Sequence, residues 1–163
     1  MNRKKVSTVI ISDVHVGSEH SKVNELISFL HSIDCEKLIL NGDILDGWKL
    51  HRNPFGRWKR EYTDLIKVIM KMMEKHNTRV IYVRGNHDSF LDSILPLTLS
   101  SVSFVQDYIH VSHGRRYYVT HGDVFDHISS RMVWLAKLGD YGYTFLLWIN
   151  KVLNACIVLF LRE

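Results

Sequence analysis

The chain reads as an α/β layered domain, and three observations predict it. Apolar β-like runs alternate with helix-spaced runs; 163 residues suffice for one domain with a sizeable core; and short polar phrases stand directly behind several of the β-like runs. An apolar fraction of 46% with 23% charged residues is that of an ordinary globular protein, so a folded rather than a disordered chain is expected.

The elements follow in order. Val6 to Ile11 is rich in β-branched residues and reads as the first strand. Leu26, Ile27, Leu30 and Ile33 then recur at helical spacing, behind Ser21 as an N-cap. Lys37 to Leu40 is the second strand. Gly42 to Arg60 has no clean period and carries Trp48, Lys49, His51, Arg52, Asn53-Pro54, Gly56, Arg57 and Trp58, so it reads as a functional loop. It leads into a helix ending near Glu74, with Leu65, Ile66, Ile69, Met72 and Met73 inward. Arg79 to Val83 and Val102 to Val105 are two more strands, and Tyr108 to Thr120 reads as a hairpin turning at His113-Gly114. Ile128, Met132, Leu135 and Leu138 form a helical stripe closed by Gly139 as a C-cap.

Tyr143 to Phe160 is almost wholly apolar, broken by Asn150, Lys151 and Asn154. A central lysine costs about 2.5–3.5 kcal/mol in a membrane span and the run is only marginally long enough, so a transmembrane helix is not expected. Three readings stay open: a cap helix lining an acyl-chain groove, a helix lying on the bilayer with Lys151 reaching outward, or a core helix. The expected division is a core over residues 1–126 and a helical cap or insertion over 127–163. The sequence contains no internal repeat or low-complexity linker.

A formal charge of +4 with pI near 9.1 favours an anionic partner without choosing among phosphate, nucleic acid and a membrane surface. Cys35 and Cys156 are far apart and read as reduced core thiols with a cytoplasmic address. Met1 to Lys5 followed by Val6 to Ile11 has the outline of a signal peptide, but Asp13 and His15 interrupt it and no small-residue cleavage site follows.

The chemistry lies in four phrases, Asp13-Val14-His15, Gly42-Asp43-Ile44-Leu45-Asp46, Gly85-Asn86-His87-Asp88 and His121-Gly122-Asp123. Open α/β sheets present ligands beyond the carboxyl ends of their strands, which is where these phrases fall. Asp13 and His15 are two apart and, at a strand end, face one side and offer oxygen and nitrogen to a single ion. Asp43 has two oxygens with which to bridge a pair of ions, while Asn86 and His121 suit the second. Mixed oxygen and nitrogen donors without thiolate favour manganese, iron or zinc over calcium. Two divalent ions about 3.5–4 Å apart supply a nucleophile and offset the charge that grows during phosphoester hydrolysis. His87 is placed to protonate or stabilise the leaving oxygen, Asp46 to orient it, and Arg84 to offer a fork of donors to phosphate. Gly42, Gly85 and Gly122 adjoin the proposed ligands and permit tight turns.

These phrases resemble the blocks of the calcineurin-like metallophosphoesterase family, D-x-H, G-D-x-x-D, G-N-H-[DE] and later His-containing blocks, over most of the chain. The resemblance implies a layered αββα sandwich with two divalent metals, Mn first and Fe or Zn next. It implies Asp13, His15, Asp43, Asn86 and His121 as metal ligands, His87 at the leaving group and Asp46 in its support. Within the family the chain is most similar to the UDP-2,3-diacylglucosamine diphosphatase-like branch, through His121-Gly122-Asp123 and the helical stretch after it. Members of that branch usually carry Arg where this chain has His87. Family members also carry a G-H-x-H block with one ligand for each metal; only His127 follows His121 here, so the expectation is a core incomplete at its C-terminus with about three partners per ion.

The expected function is therefore cleavage of a pyrophosphate or phosphodiester in a phosphorylated small molecule or nucleotide-linked lipid, with peripheral membrane contact through residues 143–160 at the inner face. The alternatives are a catalytically incomplete metal- or phosphate-binding scaffold and a metal-dependent nuclease. His87 and Asp46 argue against the scaffold, which needs no leaving-group chemistry, and a basic stripe is confined to residues 49–60, so nucleic acid is not the expected partner. No obligate protein partner is expected. Trp48, Trp58, Arg52, Arg57 and Lys59 suit contact with a nucleotide or head group, and equally a solvated basic loop packed by two aromatics. His110, His113 and His127 read as surface or hairpin histidines, and Tyr117 and Tyr118 as strand residues.

Overall fold

The computed structural model describes residues 3–52, 58–125 and 133–160. The chain divides into two compact units, Met1–Gly122 and Asp123–Glu163. In the first, β1 (Lys4–Ile11), β2 (Ile33–Asn41) and β3 (Arg79–Val83) run parallel in that order and β5 (Val102–Val105) joins parallel to β3. The short edge strand β4 (Leu97–Leu99) pairs antiparallel with β5, completing a five-stranded sheet of order β1-β2-β3-β5-β4. A second sheet consists of the antiparallel hairpin β6 (Tyr108–Ser112) and β7 (Arg115–Val119).

Parallel strands need both faces covered, and β2 and β3 are correspondingly apolar on both. One face carries Leu38, Leu40, Val80 and Tyr82 under the helices α1 (Val23–Ser32) and α3 (Arg60–His76), whose Leu30, Leu65 and Met72 close the main core. The other carries Ile39, Ile81 and Val83, which pack with Val119, Val105 and Tyr108 beneath the hairpin. This mixed α/β architecture with a mostly parallel central sheet is the fold class that the sequence predicts.

Local departures have local causes. Ser21 does not cap α1: its hydroxyl donates to the Val14 carbonyl, and the cap position is Lys22. Ile33 belongs to β2 rather than to the helix, which lengthens that strand at its start and makes Cys35 a buried strand residue. Ile66 points to solvent, because the buried stripe of α3 runs through Tyr62, Leu65 and Met72. The loop after Gly42 contains a short helix, α2 (Gly47–Arg52), absent from the sequence reading. The hairpin turns where predicted: His113 and Gly114 both have positive φ, 50° and 73°, between the paired residues Ser112 and Arg115.

The described part of the second unit is a 3-10 turn at Asp123–Phe125 and one long helix, α4 (Val133–Phe160). Gly139 does not end it. An interior glycine costs only about 1 kcal/mol against alanine, too little to break a long run of helix formers. Ile128 and Met132 lie outside the described residues, as does His127. No helix among the described residues is long and apolar enough to cross a membrane.

Candidate metal centre

Four strand ends deliver the site. Asp13 and His15 follow β1, Asp43 and Asp46 follow β2, Asn86 and His87 follow β3, and His121 follows β7. Past the strands the backbones remain bonded to one another: Asp13 N–H donates to Gly42 O (3.2 Å), His15 N–H to Asp43 O (2.9 Å) and Gly42 N–H to Val83 O (2.9 Å). Asp13, His15 and Asp43 all have left-handed backbones, with φ of 56°, 50° and 52°. Non-glycine residues adopt this region uncommonly, Asp and His more readily than most, and such strain concentrates at functional sites.

Asp43 is the centre of the arrangement. It is 4% exposed, and its Oδ2 faces three imidazole Nε2 atoms: His121 at 3.3 Å, His15 at 3.8 Å and His87 at 3.9 Å. Its Oδ1 accepts the backbone N–H of His87 at 2.9 Å. Burial pushes the Asp43 carboxyl up, but the bonds from His121 and from the His87 backbone, with the charges of those two residues, outweigh it and hold it below the usual carboxylate range. The hydrogen bond to Asp43 in turn raises His121 to about 9, against the opposing effect of burial. The His121 Nδ1 is turned to the Asn41 carbonyl oxygen (3.3 Å), which directs Nε2 to Asp43.

Donor atoms converge in two groups, His15 with Asp43 and His87, and Asp13 with Asp43 and His121, each within 4.8 Å. Carboxylate oxygen and imidazole nitrogen in such groups fit divalent transition metals, and Asp43 is common to both. Asp13 and His15 fall into different groups instead of sharing one. The same-face rule for residues two apart holds along a strand, whereas β1 ends at Ile11 and the left-handed residues beyond it abolish the alternation.

His87 Nδ1 lies 3.3 Å from Asp46 Oδ1. Asp46 is 1% exposed; burial raises its carboxyl, yet the bonds from His87 and the Lys49 backbone, with their charges, lower it overall. Lys49 Nζ stands 3.5 Å from the other Asp46 oxygen. Trp48, for which a substrate contact and a packed loop were equally open, packs on His87 at 4.0 Å between ring centroids with the planes 30° apart. Arg84 forms a two-pronged pair with Asp92 (2.7 and 3.2 Å), so its fork is engaged within the protein. Trp58 donates to Thr63 Oγ1 and packs edge-on against Tyr62 at the start of α3. Arg52 ends α2, and Arg57 lies outside the described residues. His110 is a hairpin histidine, in β6 opposite Tyr117, and is buried beside Lys37 Nζ (3.5 Å) rather than exposed at the surface.

The sequence reading gave Asp88 no role. It is fully buried and accepts from Ile44 N–H (3.3 Å), Leu45 N–H (3.1 Å) and Tyr82 OH (2.9 Å), which ties the loop after β2 to the loop after β3. Its place as the last residue of Gly-Asn-His-Asp was the available signal. Gly85 is equally constrained: a Cβ there would collide with Oδ1 and the backbone nitrogen of Asp43.

The sequence profile of the calcineurin-like phosphoesterase family matches residues 6–160, nearly the whole chain. The chain belongs to that family. Calcineurin-like phosphoesterases hydrolyse phosphoesters with bound divalent metals, and the two donor groups supply candidate ligands here. Among solved structures the chain is similar to the Pseudomonas putida nuclease MPE, at 24% identity and a TM-score of 0.40 over 65% of this chain and 50% of that one. The chain thus spans about half the length of that nuclease. Comparison with curated proteins finds no match.

Proposed function

We propose that this calcineurin-like phosphoesterase chain is a two-metal phosphohydrolase core, in which Asp13, His15, Asp43, Asn86 and His121 hold the ions and His87 serves the leaving group. The observation that carries this reading is the buried Asp43 carboxylate common to two donor groups, one of which also holds His87. Manganese is the first choice of metal, with iron and zinc compatible with the same donors. Bound ions would polarise the phosphoryl group and provide the nucleophile. The rest falls to the chain. Water adds across one P–O bond: its oxygen joins phosphorus, the bond to the leaving oxygen breaks, and His87 delivers a proton to that oxygen. Asp46 holds the His87 ring through its Nδ1. Arg84, two of whose guanidinium nitrogens are bonded to Asp92, is the candidate for a phosphate contact.

The substrate class proposed is a pyrophosphate or phosphodiester carried by a lipid, of which UDP-2,3-diacylglucosamine is the example that the sequence resemblance suggests. The exposed apolar side chains of α4, among them Leu138, Phe145, Leu146 and Trp148, support a lipid-linked substrate and peripheral membrane contact. The test is manganese-dependent hydrolysis of bis-p-nitrophenyl phosphate, UDP-diacylglucosamine and a DNA oligonucleotide by the chain and its Asp43→Ala and His87→Ala variants. Turnover lost in both variants and fastest on the lipid is the expected result. Preference for the oligonucleotide moves the assignment to a nuclease, and no turnover from a folded, metal-loaded chain overturns the enzyme reading.

A further inference from the structure

We infer that Trp48 is a positioning residue for His87, setting the plane of its imidazole for proton delivery; the inference rests on the hydrolase reading above. The terminal torsion of a histidine is broad and roughly two-fold, so one hydrogen bond does not define the ring plane. The bond from His87 Nδ1 to Asp46 Oδ1 is long at 3.3 Å. Packing completes the constraint. The Trp48 indole lies against one side of the ring with centroids 4.0 Å apart and planes 30° apart, while the His15 ring meets His87 at 4.7 Å and 86°. The imidazole is thus in contact with both a tilted indole and a nearly perpendicular imidazole.

The backbone makes this contact a built one. α2 starts at Gly47, directly after Asp46, and the Gly47 N–H donates to the His87 carbonyl oxygen at 3.2 Å. A Cβ on residue 47 would stand 2.6 Å from that oxygen and 2.8 Å from the Phe90 ring, so only glycine lets the first turn of α2 approach closely enough to lay Trp48 on His87.

The experiment measures kcat and KM for aryl phosphodiesters with graded leaving-group pKa, using wild type, Trp48→Leu, Trp48→Phe and His87→Ala, each checked for fold by circular dichroism and for metal content. Trp48→Leu is expected to lower kcat by about 100-fold on the poorest leaving group. It should change kcat by less than about threefold on nitrophenolate and hold KM within about twofold. His87→Ala should share this steepened dependence, and Trp48→Phe should restore most of the rate. Proton resonances of the His87 ring should lie upfield in wild type and move back in Trp48→Leu. A loss uniform across the series, a raised KM at constant kcat, or unmoved His87 resonances would overturn the positioning role while leaving the hydrolase reading intact. A wild type without turnover on any member would overturn both.

Discussion

Asp43 and His121 form one proton-sharing unit in the metal-free protein, and its pH behaviour follows from the directions of the two shifts. His121 is raised from 6.5 to about 9 by the bond to Asp43, so the folded state holds that proton more tightly than the unfolded chain. The stabilisation is complete below pH 6.5 and is lost as pH rises through about 9. Asp43 is lowered from 3.8, so its contribution is present above that value and disappears as pH falls through its lower folded one. Urea denaturation of metal-stripped protein should therefore show stability declining between pH 6.5 and 9, a decline that His121→Ala removes. An ion bound to His121 displaces its proton, so manganese binding at pH 7 should release protons, measurable by calorimetry in buffers of different ionisation enthalpy. Equal heats in all buffers would contradict the pairing. Gly85→Ala must push Asp43 aside and should cost on the order of 1–3 kcal/mol in thermal stability along with most of the metal affinity. At this scale the convergence of Asp13, His15, Asp43 and His121 was legible, since Asp and His behind apolar runs announce themselves. The left-handed backbones of Asp13, His15 and Asp43 were not, because nothing in a single sequence marks a non-glycine residue as turning against its strand.

Among elements, the two loops after β2 and β3 behave as one piece because Asp88 accepts two backbone N–H groups from one of them and is itself part of the other. Asp88→Ala strands those donors and the Tyr82 hydroxyl in the interior, where each unsatisfied group costs about 1–3 kcal/mol, and should lower stability by about 2–4 kcal/mol in chemical denaturation. A change below about 0.5 kcal/mol would mean that the loops are held otherwise. Arg84 offers the contrasting case: its pair with Asp92 is half-exposed on the carboxylate side, so Arg84→Ala should cost less than about 1 kcal/mol in stability. A rise in KM without a change in kcat would then show that the guanidinium also meets phosphate. Strands β2 and β3 and the hairpin were readable from β-branched runs and the His113-Gly114 turn. α2 was not, because six residues carry no measurable period, and Gly139 misled because a glycine marks a helix end only when the residues after it cease to favour helix.

For the molecule as a whole, the first unit places strand ends from both sheets around one carboxylate, a convergence that the order of phrases along the sequence implied without giving its pairing. His15 and Asp13 separate into different donor groups, and Trp48 turns to His87; both depend on loop geometry rather than on spacing. In the second unit, α4 exposes Leu138, Tyr141, Phe145, Leu146 and Trp148 on a helix that also bears Lys137 and Lys151. If α4 meets a lipid surface, sedimentation with anionic vesicles should exceed that with zwitterionic ones and fall in a Phe145→Asp, Leu146→Asp variant; equal sedimentation of variant and wild type would count against it. The central claim, that one buried carboxylate serves two ions, is tested most directly by titrating manganese into metal-stripped protein and its Asp43→Ala, His15→Ala and His121→Ala variants. Wild type should bind two ions, each histidine variant should bind one of them more weakly, and Asp43→Ala should lose both. An Asp43→Ala protein that is folded and still binds one ion with undiminished affinity would contradict that claim.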